Sequence, residues 1–565
     1  MQYTAITSPA LTEPRLKILT LTLIALLLTL VLGGCSAQQL PPEDYAELAK
    51  QASLGNEVSA TELKAAFLQS DDFAERLAKL APLERQVLQL MEDQPLKLGA
   101  IGSTILDTFY GSITGHMAMR TYYQYLEADD AALLHDKWIT SIQASIELTG
   151  TGESDHPYAV LSSVEADAYL KLNQLSTAGS IYVTKAEQSL MLLLISTDSD
   201  KRHKSVYFDL GTAYQTMRGE IEQQLKGKNF EPIYLVNKLA QGGDSAAQAL
   251  IGAILVRDER FEDAIRWLNL STRSGNVLST LMLARIFQVQ ARSLDGELRD
   301  EALEVALDHY LRAIAQGSDE AMYVLGQLYL SGMYGEDNQT SGLALLFQSA
   351  DLENTSAMLA LGFYYLNKDS DDYDLDKSES YFYAAAEQNH DGAQIQLARF
   401  LIFEKRPFSK NALRWIRELS KQDHPEALIL LGNLYARGGE VKQNIKRAFR
   451  SYQDAVKVAP NNAAIVNEVA WTLAVTELEA LKKPDYAFEI MNHVMVKDSN
   501  AMQNAAYLDT FAAICAARGN FKRAIELQIL AIQFAEEGKQ MNELGVLKEH
   551  LDDFKNDRVI IDAVP

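Results

Sequence analysis

The chain has 565 residues, with 52 Lys and Arg against 76 Asp and Glu, for a formal net charge of −24. A surface this acidic repels phosphate backbones and anionic lipid head groups, so it excludes nucleic-acid binding and leaves neutral, basic or cation-bridged partners. The length calls either for several domains or for an array of repeats.

Near the start, Arg15 and Lys17 precede an apolar run from Ile18 to Leu32, and Gly33 and Gly34 then lead to Cys35. A cationic flank, a short apolar core and small residues before a cleavage point make the layout of a secretory signal. The run of about 15 residues falls short of the roughly 20 that span a bilayer. The residues Leu32, Gly33, Gly34 and Cys35 resemble a bacterial lipoprotein lipobox. That resemblance implies a signal peptide over 1–34, removed before Cys35, and a thiol that carries the lipid, with 35–40 as the lipidated linker. The membrane contact is then a lipid anchor. Ser36 follows the cysteine where enterobacterial lipoproteins kept at the inner membrane carry aspartate, so the resemblance implies the periplasmic side of the outer membrane. Loss of 1–34, which holds Glu13 against Arg15 and Lys17, takes the charge to −25. Cys515 is then the one remaining thiol, among small neighbours at helical spacing, which reads as a core residue.

Residues 41–240 read as a mainly helical region. PPEDYAELAKQA opens it, and helical patterning continues through LERQVLQLMED to the tyrosine-rich TYYQYL. TGTGESDHP near Gly150 is a turn-rich break. After the helical AVLSSVEADAYLKL come three β-like stretches, GSIYVT from 179, SLMLLLIS from 189 and HKSVYFDL from 203, with TDSDKR as a hairpin turn between the last two. A small α+β element over 157–216 is predicted.

From about residue 241 small residues return in three columns with a period of roughly 36. The first holds Ala247, Ser279, Ala321, Ala357, Ala393 and Ala427; the second, five residues on, holds Gly252, Ala284, Gly326, Gly362, Ala398 and Gly432. The third holds Ala264, Ala306, Gly342, Ser378, Ala412 and Ala448. Antiparallel helices approach closely only where side chains are small, so these columns mark the crossing points of stacked helix hairpins. Bulky pairs follow the third column, among them Trp267 with Leu268, His309 with Tyr310 and Trp415 with Ile416. His309 stands at an aromatic packing position, so it reads as core.

AMYVLGQLYLSG and ALILLGNLYARG match the first-helix pattern A-x-x-x-L-G-x-L-Y-x-x-G, and Ala264 opens the second-helix pattern A-x-x-W-[YL]. Residues 241–459 thus resemble Sel-one-like repeats, and 460–540 resemble tetratricopeptide repeats, best at Ala512, Gly519, Asn520, Phe521 and Ala524. Over 541–565, LGVLKEHLDDFKN reads as a capping helix and VIIDAVP as a loose tail. The resemblance implies a mainly α fold, a right-handed α-solenoid whose concave face binds proteins. In plan the chain is similar to alginate-export periplasmic lipoproteins, which implies an assembly scaffold with a protein partner in the cell envelope, in polysaccharide export or other envelope assembly.

No HExxH, GxSxG, phosphate-binding glycine loop or Cys-x-x-Cys occurs. The absence argues against an enzyme, a metal centre or a bound cofactor. Ser112 and His116 lie four apart, a spacing that lets a nucleophile face a base, although a packed or solvated polar pair is the plainer reading. Asp155 and His156 read as a surface turn. DSDDYDLD at 369–376 lacks the glycine and closing glutamate of a calcium loop. The competing expectation is an N-terminal hydrolase or ligand-binding module for which the repeats serve as a docking arm.

Overall fold

A computed structural model describes residues 44–185, 189–224, 232–497, 500–538 and 543–564. The signal segment 1–34 and Cys35 lie outside the described residues. The first six helices, α1 (Tyr45–Ser53), α2 (Ala60–Leu68), α3 (Phe73–Leu90), α4 (Pro95–Thr108), α5 (Ile113–Tyr125) and α6 (Asp129–Glu147), form a bundle. Local signals start them: Ser59 and Glu62 form a reciprocal capping box at α2, and Pro95 opens α4.

The α+β element follows, with β1 (Tyr158–Ala159), α7 (Ser163–Leu172), β2 (Ser176–Lys185), β3 (Ser189–Thr197) and β4 (His203–Asp209). The strand order is β1-β4-β3-β2, antiparallel except for the β1–β4 pair. Leu192 pairs with both Tyr182 and Phe208 across the central strand, and all three are buried. Two helices, α8 (Gly211–Gln224) and α9 (Pro232–Gln241), lead to the array.

The array consists of helix hairpins: α10 (Ser245–Arg257) with α11 (Phe261–Arg273), α12 (Val277–Ala291) with α13 (Gly296–Ala315), α14 (Asp319–Leu330) with α15 (Gln339–Asp351), and α16 (Thr355–Tyr365) with α17 (Leu375–Glu387). It continues as α18 (Asp391–Phe403) with α19 (Lys410–Lys421), α20 (Pro425–Arg437) with α21 (Ile445–Val458), α22 (Ala463–Val475) with α23 (Pro484–Lys497), and α24 (Ala505–Ala517) with α25 (Phe521–Glu537). The last helix is α26 (Leu544–Lys555). The fold is mainly α, and its larger part is an α-solenoid.

All eighteen small residues of the three columns are buried. Each glycine of the second column makes room for the bulky side chain four residues after its third-column partner. A Cβ at Gly432 would sit 2.5 Å from the Tyr452 ring, and one at Gly362 would sit 2.8 Å from Phe382. At Gly252 it would collide with Leu268. In the α14–α15 hairpin both partners are glycine, and a Cβ on Gly326 would lie 2.9 Å from the Gly342 carbonyl oxygen. Between hairpins the chain reverses through a left-handed residue followed by a helix cap: Gly243 before Asp244, Gly275 before Asn276, Gly317 before Ser318, and Glu353 before Asn354.

One hydrophobic cluster runs from Tyr45 to Ile251, because β2 packs on α10 and α12 and α9 packs on α10. One sequence expectation needs correction: VIIDAVP is not loose. Asp562 forms a parallel bridge with Thr476, and Ile560 and Val564 pack against the core of the last units.

Candidate functional site

Four successive pairs of first helices pack on each other, α10 with α12, α18 with α20, α20 with α22 and α22 with α24, whereas no successive pair of second helices packs as closely. A two-layer array whose first layer is the closer packed curves toward that layer, so the first helices line its inner side. On that layer Val289, Phe363 and Phe403 expose apolar surface beside the ion pairs Arg285–Glu320 (2.6 Å) and Arg399 with Glu426 (3.4 Å) and Glu468 (3.2 Å). Burial works against the charge of Arg399, but the two carboxylates outweigh it and hold the guanidinium pKa above its ordinary value. Arg285–Glu320 and Arg399–Glu426 join neighbouring units, and Arg399–Glu468 reaches one unit further. The surface offers apolar contacts punctuated by fixed charge, which suits an extended or helical protein segment.

The repeat-packing residues lie behind this face. Ala247, Ala264, Ala321, Ala357, Ala427 and Ala448 have no exposed surface, and Gly252, Gly326, Gly362 and Gly432 are buried between hairpin partners. They shape the array and touch no ligand surface.

The sheet docks along the capped ends of the first helices, which the sequence did not disclose. Asn276 caps α12 with its Oδ1, and the same side chain accepts from the Ser180 amide (3.2 Å) while its Nδ2 donates to the Ser180 carbonyl (2.7 Å). It pairs with edge strand β2 as a neighbouring strand would. Gly179 permits the approach, since a Cβ there would stand 3.0 Å from Val277 and Leu278. Asp244 caps α10 and accepts from Ser163 (2.6 Å) and Tyr182 (3.2 Å). Further along, His203 Nδ1 lies 3.1 Å from Asp319, and Arg202 reaches Glu353. The cap residues Asp244 and Asn276 were legible as helix starts; their second role depends on where β2 lands.

Ser112 and His116 do not form a nucleophile and base. Ser112 caps α5, and its hydroxyl donates to Glu84 Oε1 (2.7 Å), which Thr114 also reaches (2.8 Å). Burial raises the Glu84 pKa, and the two hydroxyls only partly offset this. His116 turns the other way: Nε2 meets the Tyr110 carbonyl at 2.8 Å and Nδ1 meets His135 Nδ1 at 2.9 Å. A carbonyl accepts only, so His116 carries its proton on Nε2 and His135 donates from Nδ1. Trp138 stacks on His116 at 5.5 Å, and Tyr123 on His135 at 5.7 Å. Burial, reinforced by His135, drives the His116 pKa down to about 3. A neutral pair joined through its Nδ1 atoms and boxed by aromatic rings is a packing device.

Asp155 and His156 pair on the surface, and Asp374 caps α17. His309 is buried and stacks on Phe287. Among the described residues no three His, Cys, Asp or Glu side chains gather as metal ligands, and no helix is long and apolar enough to cross a membrane. Cys515 is buried, which raises its pKa, and it lines a cavity of about 240 Å³ with Phe488, Phe511, Arg518 and Arg523.

The chain is similar to a Sel1 repeat protein from Oxalobacter formigenes (19% identity, covering 56% of this chain and 95% of that one, TM-score 0.37). It is similar also to c5321, a protective antigen of uropathogenic Escherichia coli strains with an SLR fold (15% identity, 91% and 94% covered, TM-score 0.39), and to yeast Tom70 (12% identity, 86% and 96% covered, TM-score 0.35). No protein-family model and no curated protein matches the chain. The solenoid assignment stands on the hairpin geometry of the chain itself.

Proposed function

We propose that this chain is a noncatalytic scaffold of the cell envelope that holds a protein partner on the inner face of its array. In this reading a lipidated Cys35 tethers it to the periplasmic side of the outer membrane, where it serves polysaccharide export or another envelope assembly. The observation that carries the scaffold reading is the first-helix layer, on which exposed apolar residues such as Val289 and Phe403 lie one turn from the ion-paired Arg285 and Arg399. The anchor rests on the lipobox residues alone.

Crosslinking in living cells tests the two parts separately. Val289→Glu with Phe403→Glu places charge on the inner face without touching the anchor, and the dominant crosslinked partner should be lost while membrane retention is unchanged. Cys35→Ser should free the protein from membranes. An unaltered set of crosslinks in the first variant would remove the inner face from the scaffold reading, and unaltered retention and mass in the second would remove the lipid.

A further inference from the structure

The segment that follows α26 does not run into solvent. Asp557 takes a left-handed turn (φ 55°), the Arg558 amide closes back on the Asp553 carbonyl at 2.9 Å, and the chain returns to α22, two first-layer helices back. There the Asp562 amide donates to the Val475 carbonyl (2.8 Å), and the Glu477 amide donates to the Asp562 carbonyl (3.0 Å). The indole N–H of Trp471 reaches the Asp562 carboxylate at 3.4 Å. Ile560 and Val564 pack against the last units while Ile561 between them is 65% exposed. Main-chain pairing at one strip, with the apolar residues at the two ends, Ile560 and Val564, packed in and the three between them exposed, is a short form of the way an extended peptide adds to a strand edge.

We propose that Trp471, Val475 and Glu477 form a seat for an extended segment of the pattern apolar-x-Asp-x-apolar, and that Ile560–Val564 occupies it as an internal stand-in for a partner's segment of the same pattern. The strip supplies the needed groups for a reason local to it. α22 ends at Val475, Thr476 is extended (φ −53°, ψ 139°), and so the Val475 carbonyl and Glu477 amide point outward as a short free edge. Trp471, one turn before, offers a donor only, which selects an acceptor at the central position. The internal segment holds the seat through few contacts, with Asp562 and Ala563 exposed, so its advantage is its high effective concentration, on the order of millimolar, rather than strong binding. A partner segment that adds contacts elsewhere on the inner face displaces it. This goes beyond the envelope scaffold and needs neither a lipid anchor nor a given compartment, so it can fail or succeed without that reading.

The probe is the peptide RVIIDAV, and the readout is the fluorescence of Trp471, isolated by subtracting the signal of the Trp471→Phe chain. The full chain carrying Ile560→Asp and Val564→Asp should release its own segment and bind the peptide saturably, at least tenfold more tightly than the unaltered chain. A peptide with Lys in place of the central Asp should bind at least tenfold more weakly. A milder full-chain variant, Asp562→Ala, should raise peptide affinity without altering helicity. Absence of binding by either variant up to millimolar peptide, equal binding of a scrambled peptide, or collapse of the last units when the segment is released would each overturn the proposal, the last by making the segment a structural staple.

Discussion

The bundle and sheet before residue 241 and the array after it reach the same end, a continuous buried core, by opposite means. The array repeats one solution: a small residue on each hairpin partner, a bulky one beside it, and contacts made mainly with the next unit. The earlier region is built once, from aromatic stacks and buried ionisable groups such as Glu84, His116 and His135. The difference teaches where each is fragile. A repeated apolar joint is broken by volume, whereas a singular polar centre is broken by a proton.

Acid should have the largest effect, and it should begin in the earlier region. His116 titrates near 6.5 when unfolded and near 3 in place, so the unfolded chain binds the extra proton between those values. Its share of stability is complete above pH 6.5 and is lost as the pH falls toward 3, on the order of 3 kcal/mol by pH 4. Trp138, stacked on that ring, reports the transition by fluorescence, and His116→Gln should flatten the slope because an amide takes up no proton there. An unfolding free energy that does not change between pH 6.5 and 4 in the unaltered chain would show that the pair is not held neutral.

Volume comes next. Gly326→Val presses a side chain against the Gly342 carbonyl, a backbone atom that cannot step aside, and should cost about 2 to 3 kcal/mol in urea unfolding. Because units couple mainly to their neighbours, hydrogen exchange should accelerate around α14 and α15 and leave the sheet and α26 unchanged. Acceleration spread evenly over the chain would mean that the array behaves as one block and would weaken the contrast between the regions.

The smallest effect sharpens the comparison by reversing its sign. His550 on α26 lies 2.8 Å from Asp509; burial opposes its charge, but that carboxylate outweighs it and raises the pKa. Its contribution is present below about 6.5 and fades as the pH rises through the raised value. Protection of α26 in hydrogen exchange should therefore decline on the alkaline side in the unaltered chain and not in His550→Gln. The molecule should thus loosen at its early region as the pH falls and at its last helix as the pH rises through the raised His550 pKa.

Much of the array could be read directly from the chain. Ala321 and Gly326, Ala427 and Gly432 stand at fixed spacing, and a helix pair cannot close on larger residues, so periodicity of size alone specified both the hairpins and their stacking. Three of the four strands, β2, β3 and β4, were visible for the same local reason, as β-rich runs separated by turns, whereas the two-residue β1 was not. The long-range polar contacts were less legible. Ser112 and His116 share a helix and a spacing, yet their partners, Glu84, Tyr110 and His135, come from elsewhere in the bundle and draw them apart. Asn276 looks like a helix cap and nothing more until β2 arrives beside it, and the segment Ile560–Val564 looks loose until its amide finds Val475.

By itself the sequence determined the helices, their pairing and the curved two-layer array, because these follow from propensity, capping and side-chain size over short distances. Only the tertiary structure decided which polar groups are neutral, which cap doubles as a sheet neighbour and which strip of backbone pairs with the returning segment Ile560–Val564, since each depends on groups far apart in the chain meeting.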